Sequence, residues 1–421
     1  MSLSWTPVEK VSLEPLDRTG GDFSYAPDRS VVFIYNTEGF TTPYGPDVRG
    51  VFLKKRKRDG TYLNPIRINW MAGDSETLDL TVDTAPEVWS GGRVVYVDGA
   101  GTIHCLWTEQ NRKGLAWREI FYRRLAFDGD ENSYGTPSDV FYTMSAAATA
   151  QTNINMAVNP IDGTVWICWL YTNQNRVTYI LPGDVAGPID SARTETLAWA
   201  TGGATAAQAK AAVLDCDASG HTHYAALAAS SWAIEYGYRL LGAPLRSATN
   251  PTANGWQAPV VVLAGDGNNR GYTSIKARGI NDVLIAYIAP LSTNAEVKVL
   301  ESTAIGSWTN TLLADTPSAT TIARTGSSVD GSDSHGGPAV VTWGLSTPGN
   351  AADGIYYCQK QTSGAWSAPL VAVNRDTSAG QLLYGTKVAF RRLARNPLQM
   401  GLLNKHPGYR LGVCFMQKAV N

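Results

Sequence analysis

The hydrophobic pattern of this chain repeats. About every sixty residues a strand-type run of apolar positions ends in an aromatic or large aliphatic side chain, a polar loop follows, and a second strand-type run begins. The first run reads Val31-Val32-Phe33-Ile34-Tyr35, then Thr102-Ile103-His104-Cys105-Leu106-Trp107, then Thr164-Val165-Trp166-Ile167-Cys168-Trp169. It returns as His223-Tyr224-Ala225-Ala226-Leu227, Val283-Leu284-Ile285-Ala286-Tyr287 and Ala339-Val340-Val341-Thr342-Trp343, with a degenerate copy at Gln399-Met400-Gly401-Leu402-Leu403. Aligned on their last apolar residue, the copies fall at 35, 107, 169, 227, 287, 343 and about 403. A repeat of this length built only from strands is the signature of a β-propeller.

Each repeat reads as four strands. The innermost precedes a turn rich in Asp, Gly, Asn or Pro, as in Val94–Val97 before Asp98-Gly99-Ala100-Gly101, Ile154–Val158 before Asn159-Pro160-Ile161-Asp162-Gly163, and Ala211–Leu214 before Asp217-Ala218-Ser219-Gly220. Such turns are hairpin signals. The run above is the second strand. The third follows a loop, as in Ile120–Arg123 and Val177–Ile180. The fourth often opens with Trp: Trp256, Trp308 and Trp366. Pro259 and Pro369 in that phrase mark an outer edge strand, because proline cannot donate to a ladder.

Ser4-Trp5-Thr6-Pro7-Val8 copies the fourth-strand phrase with no repeat before it, while the last repeat, from Thr386, has three strands and no fourth. Residues 4–12 are therefore expected to complete the C-terminal blade, 386–421. Six complete repeats and one shared repeat predict an all-β fold: a single seven-bladed β-propeller of four-stranded blades spanning 1–421, the N-terminal strand closing the last blade.

Hydrophobic residues make up 44% and charged residues 17% of the 421, enough apolar surface for a large core. Lys plus Arg is 35 and Asp plus Glu is 36, so no global field favours nucleic acid or an anionic membrane. No run of about 18 apolar residues is present to span a membrane. Met1 to Lys10 has no apolar core of signal-peptide type, which leaves a chain made without Sec export or one whose leader was removed; a virion or extracellular location is expected. Cys105, Cys168, Cys216, Cys358 and Cys414 lie in or beside strand patterns without a CxxC pair, as buried free thiols do. No metal and no cofactor is expected.

Blade two, from Val97-Asp98-Gly99-Ala100-Gly101-Thr102-Ile103-His104 through Ile120-Phe121-Tyr122-Arg123-Arg124, resembles the repeats of the sialidase-like propellers, a group that includes polysaccharide lyases and sugar-binding relatives. The resemblance covers nearly the whole chain at repeat level and implies carbohydrate chemistry. Ser-x-Asp-x-Gly-x-x-Trp boxes are missing, and Ser328-Val329-Asp330-Gly331 only approximates one. Ile66-Arg67-Ile68 lacks the proline of an Arg-Ile-Pro motif. Thr108-Glu109-Gln110-Asn111 stands where related lyases often carry a histidine, so these motifs do not support sialidase activity.

Loops between second and third strands share one face of a propeller. They hold Tyr44, Asp47 and Arg49 in blade one; Glu109, Arg112, Trp117 and Arg118 in blade two; Tyr171, Asn175 and Arg176 in blade three; and Trp232 in blade four. Blade five adds Asn294 and Glu296, blade six Asn350 and Asp353, and blade seven His406, Tyr409 and Arg410. Aromatic rings stack on sugar C–H surfaces, and Arg and carboxylates hydrogen-bond hydroxyls or acidic sugar groups. Tyr44, Arg49, Glu109, Arg112, Trp117, Tyr171, Arg176, His406, Tyr409 and Arg410 are the candidate ligand set. No catalytic pair is assignable from sequence. His104, His221 and His223 read as histidines satisfied by neighbours, and His335 as a solvated turn residue. Lys54-Lys55-Arg56-Lys57-Arg58, before Asp59-Gly60, reads as a solvated hairpin tip, or as an electrostatic dock for an acidic partner.

Two function classes follow. The first is a non-catalytic recognition or assembly propeller, carbohydrate-binding, of phage or virion tail type or at a cell surface. The second is an extracellular polysaccharide lyase or glycosidase. Expected partners are a glycan or polysaccharide, or other structural subunits.

Overall fold

The computed structural model describes residues 9–11, 21–37, 50–69, 93–109, 119–143, 152–171, 174–197, 212–228, 232–265, 271–290, 295–304, 306–316, 327–334, 336–345, 354–360, 364–374, 387–390, 398–405 and 413–420. Among them the chain forms an all-β propeller of antiparallel sheets, with a single 3-10 turn at Ser191–Arg193. The apolar, β-branched and aromatic runs fit a pleated surface packed on both faces.

Blade one comprises Asp22–Tyr25, Val31–Thr37, Gly50–Arg56 and Ile66–Arg67, paired in that order. Blade two comprises Arg93–Val97, Ile103–Glu109 and Glu119–Ala126, with two short outer strands, Thr136–Pro137 and Phe141–Tyr142. Blade three is Thr152–Val158, Val165–Tyr171, Gln174–Ile180 and Glu195–Thr196; blade four is Val213–Cys216, Thr222–Leu227, Ile234–Arg239 and Val260–Leu263. Blade five is Gly271–Gly279, Asp282–Pro290, Ala295–Ala304 and Ser307–Thr316; blade six is Ser327–Gly331, Ala339–Leu345, Gly354–Lys360 and Leu370–Asn374. Six blades, not the seven expected, are thus formed from continuous chain, and the second carries a fifth strand.

A further sheet joins the two ends of the chain. Glu9–Lys10 pairs with Val413–Val420, Glu9 opposite Phe415 and Lys10 opposite Cys414. Val413–Val420 pairs in turn with Leu398–Lys405, and that strand with Lys387–Phe390. Lys387–Phe390 packs against the inner strands of blades six and one.

The core lies between blades. Val32 and Leu53 of blade one meet Val95, Trp107 and Phe121 of blade two, and Leu106 and Tyr122 meet Met156 and Trp169 of blade three. Trp166 and Tyr179 meet Tyr224; Ala225 and Tyr236 meet Ile285 and Tyr287; Leu284 and Val299 meet Val341 and Trp343. Val11 joins Phe23 and Phe33, which ties the N-terminal segment to blade one. Each such large side chain contributes about 1.5–3 kcal/mol on burial.

Inner strands leave one edge of each blade open, and unpaired backbone N–H groups there are costly. Side chains from the preceding inner strand satisfy several of them. Asp22 and Ser24 accept from Val95 N at 2.9 Å and Val97 N at 3.0 Å. Asn155 accepts from Leu214 N, Asp215 from Ala277 N and Ser274 from Val329 N, at 2.8, 2.8 and 2.9 Å. Neighbouring blades are therefore joined by hydrogen bonds near the axis as well as by packing.

The outer tryptophans act between blades. Trp256 stands edge-on to Trp166 of blade three and Tyr224 of its own blade, Trp308 edge-on to Tyr236 of blade four, and Trp366 Nε1 donates to Glu301 of blade five at 2.5 Å. Trp308 lies within its fourth strand, as expected. Trp256 and Trp366 instead form isolated bridges with Arg239 and Lys360 before their strands begin.

The basic run departs from the solvated reading. Only Lys57 and Arg58 reach the turn with Asp59 and Gly60; Lys54, Lys55 and Arg56 belong to the third strand, and both lysines are buried. Lys54 Nζ donates to Val11 O at 2.6 Å and lies over the Tyr62 ring. Lys55 Nζ contacts Asp28 and Ser133 O. Alternation along the strand sends Lys54 and Lys55 to opposite faces of the sheet, both covered by neighbouring segments, where carbonyls and a carboxylate hold the charges.

Candidate functional site

Tyr44, Arg49, Arg112, Trp117, His406, Tyr409 and Arg410 lie outside the described residues, as do Asp47, Arg118, Asn294, His335, Asn350 and Asp353. Three of the candidate set are placed by the backbone. Glu109 ends the second strand of blade two, opposite Glu119. Tyr171 ends the second strand of blade three, opposite Gln174. Arg176, on the third strand of that blade, stands opposite Trp169 on one side and Thr196 on the other. Blades two and three pack on each other, and the second strands ending in Glu109 and Tyr171 hold the same place in the two sheets, with half-buried Arg176 on the third strand of blade three.

Two other loop residues have different work. Asn175 is buried, and its side-chain oxygen accepts from Ala212 N at 2.6 Å, which fixes the entry to blade four. Trp232 is buried and takes φ of 59°, a left-handed conformation rare for a bulky residue, within the turn closed by Ala228 N to Ala233 O. Neither side chain presents a free face to a sugar. Glu296, at the start of the third strand of blade five, pairs with Lys298 at 2.5 Å.

Sequence reasoning missed Glu195. It is buried on the outer strand of blade three, opposite Val177 and one residue from the partner of Arg176. Burial raises its pKa, against the lowering pull of Arg239 and Arg246 from blade four. No local motif marks it; its environment is assembled from another blade.

Of the described histidines, His104, His221 and His223 are held by neighbours, as their context implied. His104 Nδ1 lies 2.7 Å from Tyr122 Oη and Nε2 3.3 Å from Asp98. His223 repeats this with Tyr236 at 2.8 Å and Asp217 at 3.2 Å. In each hairpin the aspartate's other oxygen accepts two backbone N–H groups, from Ala100 and Thr102 or from Ser219 and His221. Gly101 and Gly220, at φ of 86° and 82°, supply the left-handed corner. His221 Nδ1 accepts from Leu241 N. Cys105, Cys168, Cys216 and Cys358 are buried free thiols, all with pKa raised by burial, Cys358 to about 12, so none is a ready nucleophile. Cys414 is described only as backbone.

The chain resembles sialidase-like β-propellers. A polysaccharide lyase, a PL25 ulvan lyase, superposes with a TM-score of 0.49 at 8% identity over 100% of this chain and 95% of its own. The GH93 α-L-arabinofuranosidase of Fusarium graminearum gives 0.47 at 10% over 99% and 97%. A Hadza microbial sialidase gives 0.42 at 11% identity over 95% of this chain, which spans 65% of that sialidase. None of these likenesses assigns an activity. No family model and no curated protein matches the chain. Among the described residues no helix is long and apolar enough to cross a membrane.

Proposed function

We propose that this chain is a carbohydrate-recognition propeller that binds a glycan or polysaccharide at the end carrying the loops between second and third strands. The observation behind the reading is that Glu109 and Tyr171 end the second strands of neighbouring blades two and three, with Arg176 on the third strand of blade three. A carboxylate, a phenol ring and a guanidinium are the groups that hold hydroxyls and cover the apolar face of a sugar. Recognition is favoured over turnover because the described histidines and thiols hold hairpins and cores. We further infer that the sheet joining the chain ends serves as a seventh blade of one domain, a count supported by its packing against blades six and one.

Affinity electrophoresis in gels cast with neutral and acidic polysaccharides tests the binding face. Retardation of the wild type, lost in Arg176→Ala and Trp117→Ala with unchanged thermal midpoints, is expected. Equal retardation of both variants removes this face from consideration.

A further inference from the structure

At the opposite end of the sheets, blades one and two enclose a cavity of about 260 Å³. Its polar floor is Lys55, from the third strand of blade one, and Asp28, from that blade's inner hairpin. The Lys55 ammonium is nearly inaccessible and has two acceptors, Asp28 Oδ2 and Ser133 O, each at 3.3 Å, for its three N–H bonds. Asp28 Oδ1 is taken by the Ser30 N–H at 2.8 Å and the Ser30 hydroxyl at 2.6 Å, so Oδ2 is the oxygen that faces Lys55. Val97 and Ile103 make an apolar wall. Phe127, 41% exposed, completes it with its ring centroid 6.0 Å from Lys55 Nζ.

The mouth is kept open by backbone. Gly99 and Ala100 are exposed, and a Cβ on Gly99 would meet nothing within 4 Å. A Cβ on Gly101 would come within 3.1 Å of the Phe127 ring, so glycine there lets the ring lie against the turn.

The chemistry narrows the occupant. Lys55 and Asp28 together are neutral, and Asp128, bound to the Ser133 hydroxyl at 2.6 Å, adds negative charge nearby. An anion is therefore disfavoured. A hydroxyl that accepts from the ammonium and donates to the carboxylate satisfies both. The aromatic wall asks for a C–H face. The volume lies below the roughly 300–1,000 Å³ of drug-sized pockets, which suits one ring rather than an oligomer. We propose that this cavity binds a single neutral hexopyranose residue, a hydroxyl bridging Lys55 Nζ and Asp28 Oδ2 from the cavity side and a C–H face on Phe127. Ile103 lines the cavity and Glu109 ends the same strand, about 20 Å away at strand rise, so this site is separate from the loop end and stands independently of it.

Saturation-transfer NMR of the full chain, titrated with methyl glucoside, methyl galactoside, methyl mannoside and glucuronate, tests the proposal. At least one neutral hexoside is expected to saturate at millimolar concentration, with glucuronate weaker. Phe127→Ala, which removes the stacking face, and Ala100→Trp, which blocks the mouth, are each expected to weaken binding at least tenfold, with thermal midpoints confirming the fold. No saturable hexoside signal, unchanged affinity in both variants, or tighter glucuronate binding would each overturn it. Hexoside binding lost in Arg176→Ala but kept in Phe127→Ala and Ala100→Trp would also overturn it, while leaving the proposed function standing.

Discussion

Blades two and four fasten their inner hairpins with the same Asp–His–Tyr trio, whereas blade five uses an Arg–Asp pair. In blades two and four an aspartate, a histidine six residues later and a tyrosine of the third strand form one chain of hydrogen bonds within a single sheet. In blade five Arg278 grips Asp282 through two nitrogens at 3.0 and 2.6 Å, and both partners reach blade six, Arg278 to Gly337 O and Asp282 from Gly336 N. Lys276 adds Asp333 at 2.8 Å. One device stiffens a hairpin; the other also ties two blades together. The two triads differ as well: the Asp217 and His223 side chains are 1% and 0% exposed, against 24% and 6% for Asp98 and His104.

The largest expected effect follows from the inter-blade pair. Asp282→Ala leaves the buried Arg278 guanidinium without its carboxylate and is expected to cost about 3–5 kcal/mol, read as a fall in the denaturant midpoint. A loss below about 1 kcal/mol would mean that the pair does not join the blades. Next comes the contrast between triads. His223→Ala strands two buried partners and is expected to cost about 1–3 kcal/mol, with His104→Ala costing less because Asp98 can turn to water. The reverse order would break the comparison.

The smallest effect is a pH dependence. Burial works to raise the Asp98 and Asp217 carboxyls, but hydrogen bonds from the paired histidines and the hairpin N–H groups outweigh it, and both lie below the ordinary value. A depressed carboxyl contributes stability that is complete above its unfolded pKa, about 3.9, and is lost as pH falls through the folded value. Asp217→Asn should flatten the acid limb of an unfolding titration. Glu195 has the opposite sign. Its raised pKa contributes stability below the ordinary glutamate value, lost as pH rises through the folded one, so Glu195→Gln should flatten the limb above about pH 4.3. Identical titrations in wild type and variants would remove both assignments.

Much of the fold was legible because strand periodicity and turn chemistry are local. The run Ile103–Glu109 and the turn at Asp98–Gly101 carry their signals within a few residues; of the expected closing segment 4–12, Glu9 and Lys10 pair with Phe415 and Cys414, while the phrase Ser4–Val8 lies outside the described residues. What escaped depends on distant partners. Lys54 and Lys55 read as solvated charge because Val11, Asp28 and Ser133, which hold them, are far away in sequence. Trp232 and Asn175 read as ligand groups because their burial is set by neighbouring segments. The second outer strand of blade two, Thr136–Pro137, is too short to leave a pattern. Of the candidate ligand set, Glu109, Tyr171 and Arg176 read as loop residues but belong to strands, because the connections are shorter than the pattern suggested, whereas Glu195 carries no local signal because its electrostatics come from Arg239 and Arg246.

The central claim, recognition of carbohydrate at the loop end, is tested most directly by a glycan and polysaccharide array on the full chain, read for both retention and product release. The account predicts retention without cleavage, weakened at least tenfold in Arg176→Ala. Release of unsaturated or reducing ends, or silence across the array, would contradict it.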